Sequence, residues 1–150
     1  MAVYKIVNYG DPILKEKAKP VKEVNESVRR LLDNLRDTMY EARGLGLAAP
    51  QIGVPKRAIV VDAGERLYEL VNPEIEEGEG EQIDTEACLS IPGVRGTVKR
   101  FERVVVKGLN REGEKVRIQA TGLLARVFQH EIDHLNGILF VDRAETVIKG

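Results

Sequence analysis

The chain has 150 residues, of which 43% are hydrophobic and 31% are charged, a balance that predicts one ordinary domain, residues 1–150, with a buried core. The net charge of −1 gives no support for a nucleic-acid partner, and no apolar run is long enough to span a bilayer. A single cysteine cannot form an internal disulfide, and the first residues lack the apolar stretch of a signal peptide, so we expect a cytoplasmic protein.

The N-terminal residues predict an extended arm followed by a short helix. Residues 3–9 (VYKIVNY) alternate partly between apolar and polar side chains, as in a short strand or an extended arm. Asp11 and Pro12 are typical of a helix N-cap and first helical position, and the helix is expected to run through Ala18. Pro20 then ends it.

The next segment predicts an amphipathic helix. Asn25 or Ser27 can cap its N-terminus, and Gly44 is a plausible stop. Apolar residues recur at helical spacing along one face: Val28, Leu31, Leu32, Leu35, Met39 and Ala42. This helix is predicted to pack on the core and to carry no chemistry.

The segment 44–53 (GLGLAAPQIG) is small, apolar and turn-forming, and Gln51 is its one polar side chain. It lacks the lysine and the serine or threonine of a phosphate-binding loop, and no strand precedes it. We interpret it as a backbone that lets another chain approach closely.

The middle of the chain predicts antiparallel strands. Residues 58–63 and 67–71 indicate one hairpin, and residues 103–109 and 115–120 indicate another. Between them, the acidic residues 74–84 (EIEEGEGEQID) are interpreted as a solvated loop or an edge hairpin.

The last long helix is predicted to begin near Leu123, with Thr121 as cap, and to end at Gly137, while residues 138–150 offer little room for another element. Helices at both ends with strands between them predict an α+β fold. We therefore expect a single compact domain in which antiparallel strands pack around this C-terminal helix.

Both histidines of the chain lie on that helix. His130 and His134 are four residues apart, which places them on the same helix face, and Glu131 follows the first. Two imidazoles in this arrangement can bind one metal ion, with the carboxylate within reach of a water on the metal. The alternative is an exposed polar face that happens to carry two histidines.

A catalytic zinc-type site needs a third protein ligand and leaves one position open. In the extended HExxHxxGxxH pattern this ligand lies six residues after the second histidine, but position 140 is phenylalanine. A glutamate further along the chain is another common third ligand, but Glu145 is the only glutamate after His134 and lies in the tail. Cys88 is the better candidate as a thiolate, although a lone cysteine is often a buried small hydrophobe.

Three motifs together resemble the bacterial-type peptide deformylases. They are GLGLAAPQIG at 44–53, EACLSIPG at 86–93 and QHEIDHLNG at 129–137, in the order and at the separations of that family. The resemblance implies an enzyme that removes the formyl group from the N-terminal formyl-methionine of new polypeptides and releases formate.

The resemblance also implies the roles of the site residues. Cys88, His130 and His134 would bind one divalent metal, natively Fe²⁺, with Zn²⁺, Ni²⁺ or Co²⁺ accepted in purified protein. A metal-bound water would attack the formyl carbon, with Glu131 as general acid and base. The Gln51 amide and the backbone N–H of Leu89 would stabilise the oxyanion.

The implied substrate site lies along the first motif and the last helix. Backbone groups of Leu45 and Gly46 would pair with the peptide as an added strand. The methionine side chain would enter an apolar pocket built from residues that include Gly46, Leu47, Glu86, Leu123, Val127 and His130. Because a free carboxylate is unfavourable beside an apolar pocket, we expect Arg100 or Arg95 to pair with Glu86.

Two features depart from the family. Ala87 stands where the family usually has glycine before the cysteine, which matters only if that position needs a positive φ or very close packing. Many members also carry a longer C-terminal helix associated with docking near the ribosomal tunnel exit, whereas this chain stops at Gly150, so a ribosomal partner stays open. The competing functions are an inactive deformylase-like binding module and a small HExxH metalloprotease.

Overall fold

Two antiparallel sheets and two long helices form the framework of this computed structural model, which describes residues 2–149. In chain order the strands are β1 (Gly46–Ala48), β2 (Ala58–Val61), β3 (Tyr68–Glu79), β4 (Gln82–Cys88), β5 (Ile91–Arg100), β6 (Arg103–Leu109), β7 (Lys115–Thr121) and β8 (Thr146–Lys149). The helices are α1 (Glu26–Glu41), α2 (Gly122–Leu135) and the short α3 (Phe140–Arg143), with 3-10 turns at Pro12–Lys15 and Ala49–Ile52. The predicted α+β class is confirmed.

The larger sheet has the strand order β1-β2-β3-β6-β7, and its two faces are covered by different helices. On β2 the side chains alternate, so Val60 packs with the apolar stripe of α1 while Ile59 and Val61 pack with α2. The Asn25 side chain accepts a hydrogen bond from the Val28 N–H and caps α1, as one of the two predicted alternatives. The two long helices therefore sandwich the sheet.

The smaller sheet, in the order β4-β5-β8, packs on a separate apolar cluster that contains Leu14, Cys88 and Phe140. The N-terminal arm joins it to the rest of the molecule. The Val7 N–H donates to the Gln51 carbonyl at 2.7 Å, and the Tyr9 N–H donates to the Ser90 carbonyl at 2.7 Å. The arm thus fixes the end of the first motif against the turn after Cys88.

The interpretation of residues 74–84 as a loop or an edge hairpin is wrong. β3 continues to Glu79 and pairs with β6 in the interior of the larger sheet, while β4 begins at Gln82 and pairs with β5 in the smaller one. The acidic side chains of this segment are largely exposed, which hid the strands in the sequence. Register shifts in β3 between Val71 and Glu74 and between Ile75 and Glu77 further broke the alternation.

Three other boundaries differ from the predictions. The first short helix is a 3-10 turn that ends at Lys15 rather than at Ala18. At the end of α1 the left-handed residue is Arg43, not Gly44. The tail after Gly137 holds both α3 and β8. β8 forms although its side chains are exposed, because its backbone hydrogen bonds with β5 hold it in the smaller sheet. The two predicted hairpins are present as β2–β3 and β6–β7.

Residues 2–149 contain no helix that is both long enough and apolar enough to cross a membrane.

The packing of α1 predicts the cost of emptying its buried face. Leu35 is fully buried between α1 and the larger sheet. Leu35→Ala should lower the free energy of unfolding by about 2–5 kcal/mol, because it leaves a cavity that the sheet cannot fill. Ile148→Ala, on the exposed strand β8, is the control and should change it by about 0.5 kcal/mol at most. Equal losses in denaturant titrations of the two variants would contradict this packing.

Candidate active site

A cleft of about 340 Å³ lies where the two sheets meet α2. One wall is the segment 43–46, which leads into β1, and the opposite wall is 85–89, the end of β4 and the turn after it. β1 and β4 are both edge strands of their sheets. α2 contributes a third side through Leu123, Arg126, Val127, His130 and Glu131. All three sequence motifs therefore meet in one cavity.

At the inner end of the cleft lies a buried cluster of three metal-ligand side chains, of which Cys88 and His130 line the cavity and His134 lies behind them. Donor atoms of Cys88, His130 and His134 lie within 4.8 Å of one another, and Cys88 Sγ is 3.3 Å from His134 Nε2. The histidines come from successive turns of α2, while Cys88 follows a register irregularity at the end of β4. Tetrahedral coordination with ligand bonds of about 2.0–2.3 Å requires donors about 3.3–3.8 Å apart. The cluster fits one divalent ion.

The two histidines of the cluster have opposite pKa shifts. Burial opposes a charged His130 ring, but hydrogen bonds with Cys88 and Glu86 raise the pKa of His130 to about 10. Burial, with a further contribution from His130, lowers the pKa of His134 well below its ordinary value. The His134 ring is thus neutral and can offer a lone pair to a metal, while the surroundings of His130 stabilise a positive charge.

Glu86 fixes the orientation of His130. Its Oε1 lies 2.8 Å from His130 Nδ1, which leaves Nε2 as the nitrogen available to a metal. Arg100 donates to the same carboxylate through Nη2 at 2.8 Å and Nε at 2.9 Å, and Arg126 donates to Oε2. Burial favours the neutral acid, yet the hydrogen bonds from Arg100 and His130 hold the pKa of Glu86 well below its usual range. The expected pairing is with Arg100, whereas Arg95 is exposed on β5.

The charge network continues beyond the residues that the sequence predicted. Arg100 Nη1 donates to Asp133 Oδ2 at 2.6 Å, and Arg143 in α3 donates to the same carboxylate at 2.6 and 3.0 Å. Arg126 and Asp133 were missed. Their spacing from His130 on α2, four residues before and three after, places all three on one helix face and was the available signal.

Besides the Nδ1 of His134, Glu131 is an unpaired buried group of the site within residues 2–149. Its carboxylate is buried, and within the described residues its Oε1 has no hydrogen-bond partner. Burial raises the pKa of Glu131 to about 7. A Cβ at Gly46 would lie 2.7 Å from Glu131 Oε2, so only glycine lets this wall reach the carboxylate. The backbone of the first motif at Gly46 therefore lies directly against side chains of α2.

Gln51 is held rigidly beside the cysteine. Its Oε1 accepts from the Ala48 N–H at 2.9 Å, which fixes the amide orientation. Its Nε2 donates to Ser90 Oγ at 3.1 Å and lies 3.7 Å from Cys88 Sγ. Leu89, the next residue after the cysteine, also lines the cleft.

The predicted substrate residues divide into two groups. Leu45, Gly46, Glu86, Leu123 and Val127 all line the cleft, with Leu45 and Leu123 half exposed at its rim. Leu47 does not line it. Because side chains alternate along β1, Leu47 faces away and is fully buried with the α1 cluster. Ala87 lines the cleft with an ordinary negative φ, so its side chain needs no strained backbone.

Nitrogen and sulfur donors for one ion, beside an unpartnered carboxylate in an accessible cleft, are the chemistry of metal-dependent hydrolases. Comparison with known proteins gives the family. A family model described as polypeptide deformylase matches residues 3–149. A peptide deformylase from Carboxydothermus hydrogenoformans is 64% identical over 149 residues, which is 99% of this chain and 98% of that protein.

Solved structures agree. The crystal structure of peptide deformylase from Thermotoga maritima has a TM-score of 0.94 at 41% identity, covering 97% of this chain and 100% of that one. A Met-Ala-Ser-bound class I type b peptide deformylase from Acinetobacter baumannii has a TM-score of 0.91 at 40% identity, covering 95% and 98%. This chain belongs to the polypeptide deformylase family. It is a metal-binding hydrolase of protein biosynthesis that removes the N-formyl group from new polypeptides.

The Glu86 network predicts a large cost for removing one charge. Glu86→Gln leaves the buried Arg126 without a carboxylate and Arg100 with Asp133 alone, and should lower the free energy of unfolding by about 3–5 kcal/mol. The same change frees the His130 ring, so metal affinity should fall by about 10- to 100-fold. Denaturant titration and competition with a chelator measure the two effects.

Glu74→Gln is the matched control for that variant. It removes one carboxylate from an exposed pair with Lys107 at 3.5 Å and should change stability by about 0.5 kcal/mol at most. A Glu86→Gln protein as stable and as metal-retentive as the control would show that the buried network does not support the site.

Proposed function

We propose that residues 1–150 act as a single catalytic domain in which Cys88, His130 and His134 hold one divalent ion and Glu131 carries the proton of the deformylation reaction. The observation that carries this mechanism is the buried Glu131 carboxylate, unpartnered within the described residues and directly beside the three-donor cluster. Both oxygens of Glu86 accept hydrogen bonds, as expected of a carboxylate that supports the fold. Asp37 Oδ2 is also without a partner, but the other oxygen of that carboxylate accepts from Arg36, whereas within residues 2–149 Glu131 accepts from no side chain.

The ion supplies Lewis acidity and a water whose pKa falls from about 15.7 to about 7 when it is bound. We propose Fe²⁺ as the native ion, on the resemblance to the family. A set of one sulfur and two nitrogen ligands also accepts Zn²⁺, Ni²⁺ and Co²⁺.

Glu131 is proposed to accept a proton from the attacking water and to deliver it to the leaving nitrogen. Formamide cleavage requires the departing amine to be protonated, so one group must carry the proton between the two positions. A pKa raised by burial to about 7 suits a group that must both take and release a proton near neutral pH. Glu131 is therefore not assigned as a metal ligand.

Gln51 and Leu89 are proposed to stabilise the negative charge that develops on the formyl oxygen. The amide Nε2 of Gln51 is aimed toward Cys88 by the hydrogen bond that its Oε1 accepts from Ala48. The Leu89 N–H follows the cysteine directly and is the second donor. Preorganised donors of this kind contribute about 3–4 kcal/mol each to the transition state.

The free edge of β1 is proposed to bind the peptide backbone through Leu45 and Gly46, as an added strand. The methionine side chain then lies beside Val127 and Leu123, with the paired Glu86 carboxylate behind it. Leu47 supports this wall from the core side. The Met-Ala-Ser complex of the Acinetobacter baumannii relative supports a peptide in this cleft.

New formyl-methionyl polypeptides arise at the ribosome, and we place the reaction in the cytoplasm with the nascent chain as substrate. We also propose the ribosome as a partner, through a contact on the outer surface of the protein and not through the cleft. No direct nucleic-acid or membrane partner is proposed, because the chain has a net charge of −1.

The first test is formate release from formyl-Met-Ala-Ser by anaerobically purified protein, beside Glu131→Gln. The variant should retain its metal and lose about 10²- to 10⁴-fold in kcat, because the proton carrier is gone. Glu145→Gln, in the exposed tail, is the control and should match the wild type. Full activity in Glu131→Gln would remove Glu131 as proton carrier, and an inactive, folded, metal-loaded wild type would favour the binding-module alternative.

Metal analysis tests the ion and its ligands. Anaerobically purified protein should contain about one Fe²⁺ per chain and lose activity in air, because a thiolate–iron site is prone to oxidation. Replacement with Ni²⁺ should slow that loss, and Cys88→Ser should lower the metal content. One equivalent of zinc with air-stable activity in the native preparation would contradict the assignment of iron.

A further inference from the structure

Arg43 occupies an unusual backbone position in the wall of the cleft. It follows α1 with φ +58, in the left-handed region where glycine is usually found. Its N–H donates to the Tyr40 carbonyl at 3.1 Å, and the next N–H, of Gly44, donates to Met39 at 2.9 Å. These are the two hydrogen bonds of a Schellman C-cap, so an arginine takes the position that favours glycine.

The glycine of this turn lies one residue later, at position 44. A Cβ at Gly44 would lie 2.7 Å from Cδ1 of Leu89, on the opposite wall of the cleft. Close packing therefore explains Gly44 but not Arg43. A side chain kept against the preference of its backbone indicates a use for the side chain, and the Arg43 side chain lines the cleft.

Arg43 is also an uncompensated charge of that wall. The buried Glu86 is paired with Arg100 and Arg126, and Asp133 is paired with Arg100 and Arg143. Within residues 2–149, by contrast, no carboxylate lies within salt-bridge distance of the Arg43 guanidinium. The mouth of the cleft therefore carries a positive charge available to a ligand.

The position of Arg43 relative to Glu131 indicates which part of a substrate it meets. Gly46 lies against Glu131, so the reacting end of a peptide on the β1 edge lies at Gly46. Beyond it, Ala48 is fully buried, and the peptide can continue only toward Arg43. Arg43 lies three positions before Gly46 in the chain, a distance of at most about 10 Å. That length corresponds to the two residues after the formyl-methionine.

We propose that Arg43 is a specificity-determining residue that favours formyl peptides with an acidic side chain, aspartate or glutamate, in the two positions after the methionine. This inference rests on the proposed function and adds a charge preference to it. Arginine pairs with carboxylates through two parallel hydrogen bonds, and at a solvent-exposed rim the contribution is modest and sensitive to salt.

The experiment compares amidated peptides, whose termini carry no carboxylate: formyl-Met-Ala-Glu-amide, formyl-Met-Ala-Gln-amide and formyl-Met-Ala-Lys-amide, with matching peptides changed at the second residue. In at least one of the two series, with the charge at the second or at the third residue, the wild type should hydrolyse the glutamate peptide with a kcat/KM about 3- to 10-fold above that of the lysine peptide. The difference should lie in KM and should shrink at high salt, because the contact is the same in ground and transition states.

Two substitutions separate the charge from the fold. Arg43→Gly suits the positive φ, so the turn should be preserved while the glutamate-to-lysine ratio falls to about one. Arg43→Lys should keep most of the ratio because it keeps the charge. Arg30→Ala removes one exposed positive charge from α1, away from the cleft, and should leave the glutamate-to-lysine ratio unchanged.

An equal glutamate-to-lysine ratio in the wild type and in Arg43→Gly would overturn the inference about Arg43. Absence of formate release from every peptide would instead contradict the proposed function. In that case calorimetric binding of the same peptides to metal-loaded Glu131→Gln protein decides the Arg43 question independently. A binding preference for glutamate that disappears in the Arg43→Gly, Glu131→Gln double variant would support it, and no preference would overturn it.

Discussion

The site depends on one buried carboxylate, that of Glu86, which satisfies three cationic or hydrogen-bonding groups at once. Arg100 comes from β5, while Arg126 and His130 come from α2, so the interaction joins the smaller sheet to the helix that carries both histidines. Burying these charges singly would be very unfavourable, and it is tolerated because almost every oxygen and N–H has a partner. The same carboxylate orients His130, so the stability of the sheet–helix junction and the geometry of the metal cluster are coupled.

α2 performs two tasks with different faces. One face packs on the larger sheet through residues such as Phe128 and Leu135. The other presents His130 and Glu131 to the cleft and holds His134 buried behind them, in the donor cluster. Because residue 46 is glycine, the backbone of the edge strand β1 can lie in direct contact with the Glu131 side chain. The rigidity of a packed helix thereby fixes the separation between the carboxylate, the donor cluster and the strand that would carry a peptide, and such preorganisation is what electrostatic catalysis needs.

The elements that the sequence predicts well are those with local signals. Periodicity and the Asn25 cap identify α1, and the i,i+4 spacing identifies the face of α2 that holds His130 and His134. β4 and β5 were missed although they form a hairpin of consecutive strands, because most of their polar residues face solvent and the acidic run before them is typical of a loop. Arg100 was expected from chemical need, since Glu86 required a cation. Arg126 and Asp133 share a helix face with His130, a signal present in the sequence, but their ion pairs were identified when their partners on other elements were placed.

The arrangement of the two sheets is suited to the extended substrate proposed above. Exposed edge strands normally invite unwanted pairing. Here β1 and β4 are both edges, and they border the same narrow cleft, so their free backbone groups are available to a peptide but shielded from another sheet. Backbone pairing of this kind is indifferent to sequence. Selectivity must then come from the few side chains that reach the cleft, which are apolar beside the reacting end and charged toward its mouth. A hydrolase that acts on many different nascent chains needs this division, and the proposed substrate site provides it, with close contacts to the common formyl-methionine and only a charge preference for the variable residues after it.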